Sequence, residues 1–169
     1  FNACHNSNTA PQLQLADSLI DKRADSALCI LEKLSIEEIS IKSAKAMYAL
    51  LLTEALDKNF KSHRNDSLIL IAVDYYKDNS NNKLKTKAYY YLGRVYQDNK
   101  EYIKATEAYL TALKTASPNQ APILQIYNNL ALCYESQEFY LPAIKTYKES
   151  YATAEKMQDK YGILHATRG

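Results

Sequence analysis

One stretch of this chain repeats itself. Lys87–Tyr96 (KAYYYLGRVY) and Gln125–Tyr134 (QIYNNLALCY) align without a gap at an offset of 38 residues. Tyr89 falls on Tyr127, Leu92 on Leu130, Gly93 on Ala131 and Tyr96 on Tyr134. Carried onward, the same offset sets Tyr102 on Tyr140, Ala105 on Ala143, Tyr109 on Tyr147 and Ala112 on Ser150. A period of this length marks an architecture that stacks one supersecondary unit, because each unit alone leaves an apolar face uncovered.

The matched positions carry a resemblance. Tyr89-x-x-Leu92-Gly93-x-x-Tyr96, then Ala105-x-x-x-Tyr109, then Ala112 resembles the tetratricopeptide repeat (TPR) family, and the second copy fills the pattern with Tyr127, Leu130, Ala131, Tyr134, Ala143, Tyr147 and Ser150. Pro118 stands one place beyond the family's proline, and the second copy has none. The period exceeds the family's usual value of about 34 residues by roughly one helical turn, so longer helices are expected. The resemblance implies an all-α, right-handed superhelical solenoid of antiparallel helix hairpins, with about 3.5–4 repeats in a chain of this length. It also implies that the chain binds another protein or peptide segment and is no enzyme.

Helical periodicity orders the rest. Residues 83–117 and 120–157 are the clear repeats, 11–35 and 38–78 degenerate ones, and 160–169 the opening of a further first helix within a single array over 11–169. That opening suggests a fragment of a longer protein. Asn79-Ser-Asn-Asn82 and Ser117–Pro122 supply stop and linker signals, and Asp57–Asn65 reads as a longer turn. Residues 1–10 form a polar tether.

Composition excludes competing classes. Only 3 glycines in 169 residues argue against a hairpin-rich β fold, and 15 tyrosines without tryptophan suit helix interfaces with hydroxyls at the wet edge. A net charge of +2, from 21 basic and 19 acidic residues interspersed, leaves no footprint for nucleic acid. No apolar run approaches the roughly 20 residues of a membrane span.

Cys4, Cys29 and Cys133 form neither a disulfide framework nor a metal-ligand spacing. Cys133 aligns with Val95, and both Cys133 and Cys29 are read as small core residues. Phe1-Asn2-Ala3-Cys4 resembles the end of a bacterial lipoprotein signal, which would make Cys4 a lipidation site; the alternative is an unmodified cysteine in a frayed terminus. His5, His63 and His165 have no nucleophile, carboxylate or second ligand at a useful spacing, so no catalytic residue, metal or cofactor is expected.

Wheel geometry divides each first helix into two arcs. Ala88, Tyr89, Leu92, Gly93, Val95 and Tyr96 share the packing arc, with Ile126, Tyr127, Leu130, Ala131, Cys133 and Tyr134 in the next repeat. Gly93 and Ala131 are expected to admit Ala105 and Ala143 at close range. The opposite arc lines the concave groove in the family, which makes Lys87, Tyr90, Tyr91, Arg94, Gln97, Gln125, Asn128, Asn129 and Leu132 the candidate peptide-binding residues. Carboxamides can hold a ligand backbone from both sides, and tyrosine with arginine could floor and charge the groove. The bland alternative for all of them is a solvated helix face.

The layout also resembles bacterial regulators in which a lipoprotein-like segment precedes a TPR array, a membrane span and an output domain. On that resemblance the chain is a sensor or scaffold of the cell envelope, periplasmic or membrane-anchored. A cytoplasmic location and a purely structural spacer or oligomerisation array are the alternatives.

Overall fold

The computed structural model describes residues 9–63, 65–117, 122–159, 162–163 and 166–167. Among them there are eight α-helices, one 3₁₀ turn at Ile36–Glu38 and no strand. The helices are α1 (Thr9–Leu19), α2 (Ala24–Leu31), α3 (Lys42–Lys58), α4 (Ser67–Tyr76), α5 (Asn82–Asp98), α6 (Tyr102–Thr115), α7 (Ile123–Ser136) and α8 (Tyr140–Lys156). They fall into two compact units, residues 1–80 and 81–169. Residues 1–8 of the expected tether, Cys4 among them, lie outside the described residues, whereas Thr9 and Ala10 are the first residues of α1 and not tether.

In the first unit α1 packs on α2 and α3, α2 on α3, and α3 on α4. The core forms where Leu13, Ala16 and Ile20 meet Ala27, Leu28 and Leu31 and the α3 residues Tyr48, Leu51 and Ala55. α3 is wrapped by neighbours, which is why Ala49, Leu50 and Leu51 in succession are all fully buried. Tyr48 carries its hydroxyl to the rim and donates to the Leu34 carbonyl at 3.3 Å. At the end of α3, Lys58 lies 2.5 Å from Asp21 and 3.3 Å from the buried Glu54. Burial alone would lower the Lys58 pKa, but the two carboxylates outweigh it and hold the ammonium above its ordinary value.

The second unit contains the two clear repeats. α5 pairs with α6, α7 pairs with α8, α6 also packs on α7, and α5 meets α7 along one edge. Asn81 starts α5 by accepting the Leu84 N–H on its side-chain oxygen at 3.2 Å. Thr86, near the start of α5, lies 2.8 Å from Thr115 at the end of α6, oxygen to oxygen, so the pair is antiparallel. The shared core joins Ala105, Tyr109 and Ala112 of α6 to Ile126, Leu130 and Cys133 of α7.

The corners are built alike. The residue after each of α3, α5 and α7 and its C-cap takes a left-handed backbone: Phe60 at φ 56°, Lys100 at 62° and Glu138 at 62°. The next amide then reaches back into the helix, from Lys61 to Leu56 O, Glu101 to Tyr96 O and Phe139 to Tyr134 O, at 2.8 to 3.0 Å. Glycine usually occupies such positions. This chain makes its tight corners without glycine, so its low glycine content reflects residue choice rather than a shortage of sharp turns.

Candidate functional site

The helix wheel is right about most of the packing arc. Ala88, Leu92, Gly93, Val95, Ile126, Leu130, Ala131 and Cys133 are buried, and Tyr89, Tyr96, Tyr127 and Tyr134 are half-buried with their rings at the helix seams. The nearest neighbour of Gly93 is the Tyr109 ring. A Cβ at Gly93 would collide with the ring of Tyr109, falling 2.6 Å from its Cδ1 and 2.8 Å from its Cζ. The glycine therefore makes room for an aromatic face.

The opposite arc is less open than a two-sided helix would be. Tyr91 is buried, 4% exposed, with its ring edge-on to Tyr90 at 4.9 Å between centroids. It belongs to a second buried stripe, Ala88–Tyr91–Val95, that runs beside Leu92 and Gly93. Helices of a stacked array touch neighbours on two sides, so the buried arc exceeds the single face that one hairpin contact would need. Cys29 departs in the other direction, being exposed on α2 rather than in the core.

The other candidates fall into two groups. Gln125 and Leu132 of α7 are exposed, Leu132 at 43%. Lys87, Tyr90, Arg94, Gln97, Asn128 and Asn129 are half-buried, and all but Lys87 make the internal contacts that follow. Asn129 Nδ2 donates to the Tyr90 hydroxyl at 3.3 Å, tying α7 to α5. Asn128 Oδ1 accepts from the Ser150 hydroxyl at 3.0 Å, tying α7 to α8. Gln97 Oε1 accepts from the Tyr109 hydroxyl at 2.7 Å and from the Arg94 guanidinium at 3.4 Å. Arg94 also lies 3.7 Å from Asp98. The structure thus brings the α5 and α7 candidates onto adjoining helices, with one direct bond between the two groups.

Burial sets the chemistry of the residues packed behind this face. The Cys133 thiol is pushed up to about 11 by its apolar surroundings, although the Arg94 charge pulls the other way, so it is neutral at physiological pH. Tyr127 and Tyr134 are raised first by burial and then by Glu149. Tyr147 is raised by burial and by Glu135. These three phenols stay protonated and act as donors and acceptors.

Sequence reasoning missed Gln137 and Ser150 as organisers of this unit. Gln137 Nε2 lies 3.0 Å from Thr106 Oγ1 and 2.9 Å from the Cys133 carbonyl, pinning the end of α7 to the start of α6. It follows the helix in a polar turn, where nothing in the pattern marks it. His63 of the first unit is buried, its Nε2 3.2 Å from the Thr53 carbonyl, which gives it a structural place.

Among the described residues no helix is long and apolar enough to cross a membrane. No curated protein matches the sequence significantly. The crystal structure of MamA protein is similar in fold, with a TM-score of 0.57 and 22% identity over 90% of this chain and 76% of that one. Residues 85–156, from α5 through α8, match the tetratricopeptide repeat family model. The chain is an all-α, TPR-like solenoid whose second unit carries the repeat itself.

Proposed function

We propose that this chain is a polypeptide-binding module that works as a sensor or scaffold and has no chemistry of its own. The observation that carries the reading is the adjoining placement of equivalent arcs of α5 and α7. Gln125 and Leu132 stand exposed on α7, with Lys87 and Arg94 half-buried on α5. An exposed leucine on a face with amides and cations offers an apolar foothold flanked by hydrogen-bonding groups, the composition that an extended or helical peptide requires. Tyr90 and Asn129 serve this face by bonding α5 to α7, while Gln97 ties α5 to α6 and Asn128 ties α7 to α8.

The test is a calorimetric titration of the protein with a polypeptide that co-purifies with it. Leu132→Asp should weaken binding at least about tenfold, a change of roughly 1.4 kcal/mol, while Leu110→Asp on the exposed side of α6 leaves it unchanged. Equal binding by both variants removes the α5–α7 face from the reading. The spacer reading draws on the internal bonding of Asn128, Asn129 and Gln97, and it gains if no polypeptide binds at all.

The location we infer is the bacterial cell envelope, resting on Ala3-Cys4 and the polar residues after it. Incorporation of labelled fatty acid into the full-length protein in cells, lost in Cys4→Ala, supports it. Unlabelled protein recovered in the soluble cytoplasmic fraction overturns it.

A further inference from the structure

α6 has both of its array neighbours, packing on α5 and on α7, yet a stripe of its outward side stays uncovered. Ile103, Glu107, Leu110 and Lys114 follow one another at intervals of four, three and four, which sets them along one helix face. Ile103 is 68% and Leu110 39% exposed, and Glu107 and Lys114 are exposed with them. Lys104, beside the stripe, pairs with Glu101 one turn back. Among the described residues Glu107 and Lys114 join no ion pair within the chain.

The order apolar, acidic, apolar, basic makes this stripe complementary to itself. Glu107 and Lys114 stand seven residues apart, about 10 Å along the helix, with Leu110 close to their midpoint. A second α6 laid antiparallel about a twofold axis through that midpoint sets Glu107 of each chain against Lys114 of the other. The two leucines then meet between the two ion pairs. A parallel pair would set like charges together, so charge selects the antiparallel arrangement. The repeat as such does not produce this pattern. The corresponding residues of α8 are Leu141, Lys145, Lys148 and Ala152, whose two charges have one sign.

We propose that the chain forms an antiparallel, twofold dimer through the Ile103–Glu107–Leu110–Lys114 stripe of α6. Two helices of 14 residues, each about 21 Å long, bury little area, so the dimer is weak. The stripe shares no residue with the α5–α7 face, and neither reading depends on the other.

Sedimentation equilibrium of the whole protein, from about 1 μM to 1 mM, covers the range of weak association. The apparent mass should rise from that of one chain toward that of two. Glu107→Lys and Lys114→Glu should each weaken the dimer at least about tenfold, because each sets like charges together twice. Both residues are exposed, so circular dichroism should report an unchanged fold. The variant carrying both changes should associate as the wild type does. An equal mixture of the two single variants should also pair, because each then offers the charge that the other lacks. A wild-type protein that stays monomeric over this range overturns the proposal. So does a single variant that associates like the wild type, or a mixture that stays monomeric.

Discussion

The ring of Tyr109 lies over the backbone of Gly93 closely enough that no side chain fits between them. Tyr109 is fully buried, and its hydroxyl is anchored on Gln97 at 2.7 Å, so the ring cannot swing aside. At the equivalent positions of the second repeat stand Ala131, fully buried, and Tyr147, 9% exposed.

Gly93→Leu should therefore destabilise the protein by about 1–3 kcal/mol, the usual cost of overpacking a close contact. Gly93→Ala gains helix propensity of up to about 1 kcal/mol, yet should still lose stability because the first added carbon already meets the ring. Urea denaturation followed by circular dichroism measures both. An unchanged midpoint for Gly93→Leu would show that the ring yields.

Asn128→Ala should cost stability as well as any binding. It removes the acceptor of the fully buried Ser150 hydroxyl, and a buried donor left without its partner costs about 1–3 kcal/mol. Ser150→Ala should cost less, because the asparagine it strands is only half-buried. Thermal melts of the two variants, compared with the double variant, read the coupling between α7 and α8.

Phe60 is an unusual occupant of its corner, holding φ at 56° with 98% of its surface exposed. Left-handed backbone costs a residue with a Cβ about 1–2 kcal/mol, and the exposed ring recovers none of it by burial. Phe60→Gly should raise the stability of the first unit by up to about 1 kcal/mol, allowing for the extra freedom of glycine in the unfolded chain. A lower midpoint in chemical denaturation would mean that the ring contributes through contacts of the unfolded or associated state.

The two described cysteines should separate by reactivity. Cys29 is exposed on α2, whereas Cys133 is buried with its thiol raised to about 11. Iodoacetamide at pH 8 should label Cys29 in the native protein and spare Cys133 until denaturant is added, as read by peptide mass mapping. Fast native labelling of Cys133 would show that α6 and α7 open readily.

Alkaline pH should weaken the first unit. Burial raises Tyr76 to about 12, with smaller contributions from Tyr75 and Asp17. Its folded pKa exceeds the unfolded value of about 10, so its contribution is complete below pH 10 and is lost as pH climbs toward 12. Tyr76→Phe should remove part of that loss, measured as the change in melting temperature between pH 8 and pH 11. A variant with the same alkaline loss as wild type would place the sensitivity in other phenols.

The 38-residue offset and the apolar spacing were enough to determine the helical hairpins, because helix formation and the burial of one face depend on local periodicity. Ser67–Tyr76 is legible this way as a returning helix, and so are Ala24–Leu31 and Lys42–Lys58 within their longer runs. The same pattern misjudged Tyr91 and Cys29, which lie on helices whose type it had right. A wheel records one helix against one neighbour, whereas burial in a stacked array depends on how many helices surround each one. Only the packed structure could show that Gly93 serves Tyr109 and that Asn128 and Asn129 bond to Ser150 and Tyr90. Those partners lie up to 39 residues away in sequence, and a long-range polar contact leaves no periodic trace. Local period sets the elements; the geometry between helices decides which polar side chains hold the fold together and which face outward.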